Sequence, residues 1–225
     1  MKQFVILLFL FTSVTAGVAG QTLYETDFQA WNETQIIIPF NKKKDLNAVI
    51  WVFGRFGKNV SRTAEARIGA LITKKINKHV TVGGGYVYRY SNPTFIRPRY
   101  ESRYLGLATF TAPLSRDKKW TLVNRNLLQY EDRYSRPNGT VIRNRAWLRR
   151  EITVVKKKIE PFVSFETFYD VRLKGFARYR TQIGFSHKFN PTFSADFFYV
   201  RQNETGNKTR PGTFNGVGSS FRFNL

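Results

Sequence analysis

Arginines and carboxylates recur along this chain two and four residues apart, the spacing that puts side chains on one face of a β-strand. "RNRAWLRRE" carries Arg143, Arg145 and Arg149 on one face, "EPFVSFETFYD" carries Glu166 and Asp170, and "ARYRTQIGFSHKF" carries Arg178 and Arg180. Guanidinium and carboxylate groups facing each other form charge-assisted hydrogen bonds. Glu166 and Asp170 stand roughly 13 Å apart by strand rise. Their expected role is ion pairing with Arg178 or Arg180 on the next strand; a shared proton or a Ca²⁺ site is the alternative.

Other chemistry is sparse. The chain has no Cys and two His, so disulfides and thiolate metal sites are excluded. His187 follows Ser186, and strand neighbours point to opposite faces, so the two cannot form a dyad. His79 begins a strand beside a basic turn. No Ser, His and orienting polar group can be assembled into a lipase-like rim site, so no enzyme activity, metal or cofactor is expected. No helix follows Gly83–Gly85, so this run is not a phosphate loop. It is expected to let the strand bend or a side chain cross the interior. The N-x-[ST] motifs at Asn32, Asn59, Asn138, Asn203 and Asn207 would be glycan acceptors in a eukaryotic protein and carry no meaning in a bacterial envelope protein.

The elements that must position these charges are strands. From residue 21 onward the hydrophobic period is two. In "VTVGGGYVYRY", Val80, Val82, Gly84, Tyr86, Tyr88 and Tyr90 oppose Thr81, Gly83, Gly85, Val87 and Arg89. Similar runs start near Phe28, Leu46, Glu65, Tyr100, Trp120, Thr140, Glu160, Ala177, Thr192 and Thr213. They are longer than the roughly 5–6 residues usual in a soluble sandwich and suit the roughly 9–11 of a tilted membrane strand. One face mixes aliphatic residues with aromatics near the strand ends, and the other holds Gly, Ser, Arg, Gln and Glu. The expected fold is all-β: a single closed antiparallel transmembrane β-barrel of about 10–12 strands with short loops.

Alternation assigns the charges to faces. Lumen cations are expected at Arg55, Arg67, Arg89, Arg125, Arg133, Arg143, Arg145, Arg149, Arg178, Arg180 and Arg222. Lumen anions are expected at Asp27, Glu33, Glu65, Glu131, Glu151, Glu166, Asp170 and Asp196. The near balance between the two sets predicts cross-strand pairing.

The net charge is +22, with 37 Lys+Arg against 15 Asp+Glu. Much of the excess lies in short turns: Lys42, Lys43 and Lys44; Lys74, Lys75 and Lys78; Arg116, Lys118 and Lys119; Lys156, Lys157 and Lys158. Those turns alternate with connections richer in Gly, Pro, Asn or Arg. The basic turns are expected to face the periplasm and the others the outside. Such turns favour solubility and block edge pairing, and contact with anionic headgroups or cell-wall polymer is the sharper reading. Nucleic acid is excluded as a partner, because export and a membrane band leave no route to it.

Residues 1–20 read as a leader. "MKQ" supplies positive charge, "FVILLFLF" an apolar run, and "TSVTAGVAG" the small residues before cleavage, expected ahead of Gln21. The apolar run is short of the roughly 20 residues a spanning helix needs. Residues 21–225 then form the barrel in the bacterial outer membrane, its partners the outer-membrane lipid and the assembly machinery, as a monomer.

Two features concern closure. Eleven runs are legible, whereas bacterial barrels normally have an even count. An extra strand from residues 21–28, a segment through the lumen, or a misread hairpin would restore it. The chain ends on "SSFRFNL", whose Phe221, Phe223 and Leu225 share the outward face, so it is expected to close against the first strand.

"TDFQAWNE" followed by "NKKKDL", then "NRNLLQYEDRY" with "RNRAWLRRE", "EPFVSFETFYD" and "GFARYRTQIGFSHKFNPTFSADFFYV" resemble a family of small bacterial outer-membrane β-barrels catalogued as a domain of unknown function. The resemblance covers essentially the whole mature chain and implies fold and location, with no activity or site to carry over. It also implies that Phe221, Phe223 and Leu225 are the assembly signal. That signal usually ends in Phe; here Leu225 is last and Phe223 lies two before it on the same face.

The functional expectation is a narrow monomeric pore for small, anionic solutes. The alternatives are a closed structural or interaction barrel acting through its Lys turns or outer loops and, last, a lipid-acting rim enzyme.

Overall fold

The computed structural model describes residues 26–92, 97–155, 157–205 and 212–225. The expected leader with its cleavage point, Lys156 and Asn207 lie outside the described residues. Eleven long strands form the wall: β1 (Thr26–Pro39), β2 (Leu46–Gly57), β3 (Arg62–Lys75), β4 (Val80–Ser91), β5 (Arg99–Pro113), β6 (Trp120–Arg133), β7 (Gly139–Arg150), β9 (Lys157–Asp170), β10 (Gly175–Lys188), β11 (Phe193–Glu204) and β12 (Gly212–Asn224). The short β8 (Ile152–Val154) follows a break at Glu151 and pairs with the start of β9 in the register of β7.

Each long strand pairs antiparallel with its chain neighbours, and β1 closes on β12. That seam is parallel, from Thr26↔Thr213 to Ile37↔Asn224. An up-and-down wall with an odd number of strands has its first and last strands running the same way, so it can close only through a parallel pair. The expectation of an antiparallel barrel therefore holds everywhere except the seam. The count of wall strands among the described residues is odd, with Asp27 and Phe28 opening β1; residues 21–25 of the suggested extra strand or lumen segment lie outside the described residues.

Alternation along the strands sets two surfaces. Outward, Ile68, Leu128 and Ile183 in the middle of the wall are more than half exposed. Aromatics flank them towards both rims. Tyr86 and Tyr104 meet edge to face at 5.6 Å, and Tyr169, Phe176 and Tyr179 form a second group towards the same rim. Phe189, Phe193 and Phe223 stack at the basic-turn rim, at 5.1 and 4.9 Å. A bulge at Ala177, where the β9–β10 register shifts, lets Phe176 and Tyr179 both face outward while Arg178 enters the lumen.

The triple glycine packs tightly against β3. A Cβ on Gly85 would sit 2.2 Å from the Ala70 carbonyl oxygen of β3, and one on Gly83 would lie 2.5 Å from that of Ile72. Strands β3 and β4 approach there as only glycine permits.

The basic residues cluster at one rim, as the turn alternation predicts. Lys42, Lys43 and Lys44 lie in the β1–β2 turn, Lys118 and Lys119 in the β5–β6 turn. Lys74 and Lys75 end β3, and Lys157 and Lys158 begin β9. The chain end locks this rim: the Leu225 N–H donates to the Ile37 carbonyl at 3.0 Å, and Lys44 Nζ donates to the Leu225 carbonyl at 3.3 Å.

Candidate functional site

The lumen has two zones. In the half away from the basic turns, side chains of successive strands form one continuous polar chain. Arg55 of β2 lies 3.4 Å from Glu65 of β3, and Glu65 also receives Arg67 and, at 2.5 Å, Arg89 of β4. Arg89 reaches Glu101 of β5 at 3.0 Å. Arg103 joins Glu101 at 2.6 Å to Glu131 of β6 at 3.0 Å. Glu131 also holds Arg133, which stands 4.0 Å from Asp170.

Gln129 donates to Glu131 and accepts from Arg143 of β7 at 3.4 Å. Arg143 reaches Glu166 of β9 at 2.7 Å, and Arg180 of β10 reaches the same carboxylate at 3.1 Å. Arg180 donates to Gln202 of β11, Gln202 donates to Glu204, and Glu204 takes Arg178 at 2.8 Å. The two remaining strands contribute rings: Arg55 lies over Trp31 of β1 and Phe214 of β12, and Arg180 over Trp31 at 4.6 Å. The belt therefore touches every wall strand.

Burial shows that the belt fills this half of the lumen. Glu65, Glu101, Glu166 and Gln202 are 0–2% exposed, and Arg55, Arg67, Arg89, Arg103, Arg143 and Arg180 are 5–9% exposed. Arg136, from the β6–β7 turn, folds inward onto Glu101. A recess of about 180 Å³ lies among these groups.

The half nearer the basic turns is hollow. A chamber of about 280 Å³ joins a second space of about 350 Å³, with Glu33, Arg125, Arg145, Gln182 and Phe198 lining both. One wall is apolar: Val49, Trp51, Leu71, Leu105, Leu107 and Leu127. The other is basic. The Arg125 and Arg145 guanidiniums lie 5.1 and 4.5 Å from the Trp147 ring. Arg67 and Arg143 line both the chamber and the recess, and so form the partition between them. Towards the rim, Arg149 binds Ser186 at 3.2 Å and stands 3.6 Å from Glu160, while Arg222 pairs with Asp196.

The expected lumen residues Arg55, Arg67, Arg89, Arg125, Arg133, Arg143, Arg145, Arg149, Arg178, Arg180, Arg222, Glu33, Glu65, Glu131, Glu166, Asp170 and Asp196 all line these spaces or the belt. Asp27 sits at the far rim, accepting from Gln29 and from the Asn59 N–H. Glu151, in the β7–β8 break, keeps the register of β7 but lies at the basic-turn rim, where it pairs with Lys158 at 2.8 Å near solvent. Glu166 bridges to Arg143, Arg145 and Arg180, whereas Asp170 caps the Arg172 and Leu173 N–H groups in the β9–β10 turn. His79 and His187 are held by Nδ1 contacts to the Thr111 and Lys158 carbonyls.

Glu101, Arg103, Arg136, Glu204 and the glutamines are additions to the expected set. Alternation in "YESRYLGLATF", with Tyr100, Ser102 and Tyr104 outward, carries the signal for Glu101 and Arg103. Arg136 lies in a turn and has none.

No curated protein and no solved structure matches the chain. A family profile described as "Protein of unknown function (DUF2490)" matches residues 28–212, which takes in β1 from Phe28 and all of β2 to β11, and reaches only Gly212 of β12. The chain therefore belongs to the DUF2490 family.

Proposed function

We propose that the protein is an integral barrel of the bacterial outer membrane with a closed lumen, working from its basic-turn side as a binding or interaction barrel. The observation that carries the closed reading is the belt from Arg55 to Arg178, which contacts every wall strand and leaves Glu65, Glu101 and Glu166 almost wholly buried. In a water-filled channel those side chains would stay solvated. The outward aliphatic band between two aromatic groups supports the membrane reading, and the leader read in residues 1–20 supports export. The basic turns then face the periplasm, and the chain works as a monomer without catalysis.

Planar-bilayer conductance tests this. Purified, folded protein should give no channel steps, and sealed proteoliposomes should show no solute swelling. Reproducible anion-selective steps would overturn the closed reading. They would favour the narrow pore, which the hollow, Arg-bearing half of the lumen supports.

A further inference from the structure

We infer that the chamber in the basic-turn half is a binding site for a single-chain anionic amphiphile, with a carboxylate or phosphate head held by Arg125 and Arg145 and an apolar tail against Trp51, Leu105, Leu107 and Leu127. The inference deepens the closed-barrel reading and rests on it only for the side from which the ligand enters.

Two observations converge. First, Arg125 is the lumen arginine without a partner: among the described residues it makes no ion pair and no side-chain hydrogen bond, and it only flanks the Trp147 ring. Glu166 is shared by Arg143, Arg145 and Arg180, and Arg145 Nε stays 3.6 Å from it. Glu33 lines the chamber and accepts from Gln35, and among the described residues it forms no ion pair with Arg125. A guanidinium in a crowded interior calls for an anion.

Second, the opposite wall is continuous hydrocarbon and aromatic surface, with Leu71, Leu105 and Leu127 packed against Val49, Trp51 and Leu107, which a hydrated inorganic anion would not use. The Lys rim adds direction, since a ring of positive charge around a low-dielectric opening concentrates anions there.

The test uses full-length folded protein in nanodiscs of neutral lipid, titrated calorimetrically with octanoate against empty nanodiscs. Saturable single-site binding is expected. Arg125→Gln should weaken it at least about tenfold; this variant leaves every ion pair of the belt in place. Acetate, which has the head alone, and octanol, the tail alone, should each bind at least about tenfold more weakly than octanoate. Octyl phosphate in place of octanoate tells a phosphate head from a carboxylate one, and tighter binding of either supports the site. In the wild type, 8-bromooctanoate should quench tryptophan emission and excess octanoate should restore it, a readout that needs no variant. Titration indistinguishable from empty nanodiscs, or equal octanoate affinity in wild type and folded Arg125→Gln, would overturn the inference. Conductance is measured separately, so failure of the closed reading and failure of this site are told apart.

Discussion

Arg143 and Glu166 face each other across β7 and β9, with Arg143 Nη2 at 2.7 Å and Nε at 3.1 Å from the same Glu166 oxygen. The other Glu166 oxygen takes Arg180 and the approach of Arg145. One buried carboxylate thus organises three guanidiniums from two strands, β7 and β10. Replacing it leaves those charges facing one another, and removing one partner of a buried ionic cluster costs about 3–5 kcal/mol. Glu166→Gln should lower the urea midpoint of the folded barrel by that order. Glu151→Gln, whose pair with Lys158 lies near solvent, should change it by less than about 1 kcal/mol. Equal effects would deny the belt its role in holding the wall together.

Gly85 of β4 has no room for a side chain against β3. The 2.2 Å approach of an added Cβ to the Ala70 carbonyl is to backbone, which cannot swing away as a side chain can. Gly85→Ala should cost roughly 1–3 kcal/mol, as overpacking does, read as a lower midpoint in urea. Gly106 meets nothing within 4 Å of an added Cβ, so Gly106→Ala is the matched control and should be neutral or slightly stabilising.

These two cases show what was legible beforehand and what was not. Alternation alone placed Glu166, Arg143 and Arg180 in the lumen, because a one-residue slip would turn all the charges of a strand outward. It carried Glu101 and Arg103 just as clearly in the run with outward Tyr100 and Tyr104. Periodicity does not reach Arg136, because a turn residue has no face. Nor does it distinguish a filled from a hollow lumen: that depends on which Arg on one strand meets which carboxylate on the next, a matter of register across strands. The parallel seam is likewise a property of the closed wall. The eleven runs were present in the sequence, but the usual even count pulled against reading them at face value.

The chain end supplies the next prediction. Phe223 pairs with Ile36 across the seam and stacks on Phe193 at 4.9 Å, and Leu225 bonds to Ile37. Deleting Phe223 to Leu225 removes the last rungs of the parallel seam together with the aromatic face proposed as the assembly signal. In cells, the truncated chain should fail to give heat-modifiable, membrane-inserted protein. Normal insertion would show that neither the rungs nor the aromatic face is required.

Ile183 decides whether the outer face meets lipid. It lies mid-strand in β10, points outward and is 60% exposed, between lumen-facing Gln182 and Gly184. If that face is in a bilayer, an arginine there must be carried into hydrocarbon, which costs about 2–4 kcal/mol at the midplane and almost nothing near the interfaces. Ile183→Arg should therefore lower the unfolding midpoint in liposomes by that order. Phe223→Arg, at the rim, should cost less than half as much. In water the ranking would invert: exposing a charge in place of Ile183 would be neutral or helpful, and loss of the Phe193 stack would dominate at Phe223. The order of the two variants in liposomes thus separates a membrane wall from a water-facing one without reference to any activity.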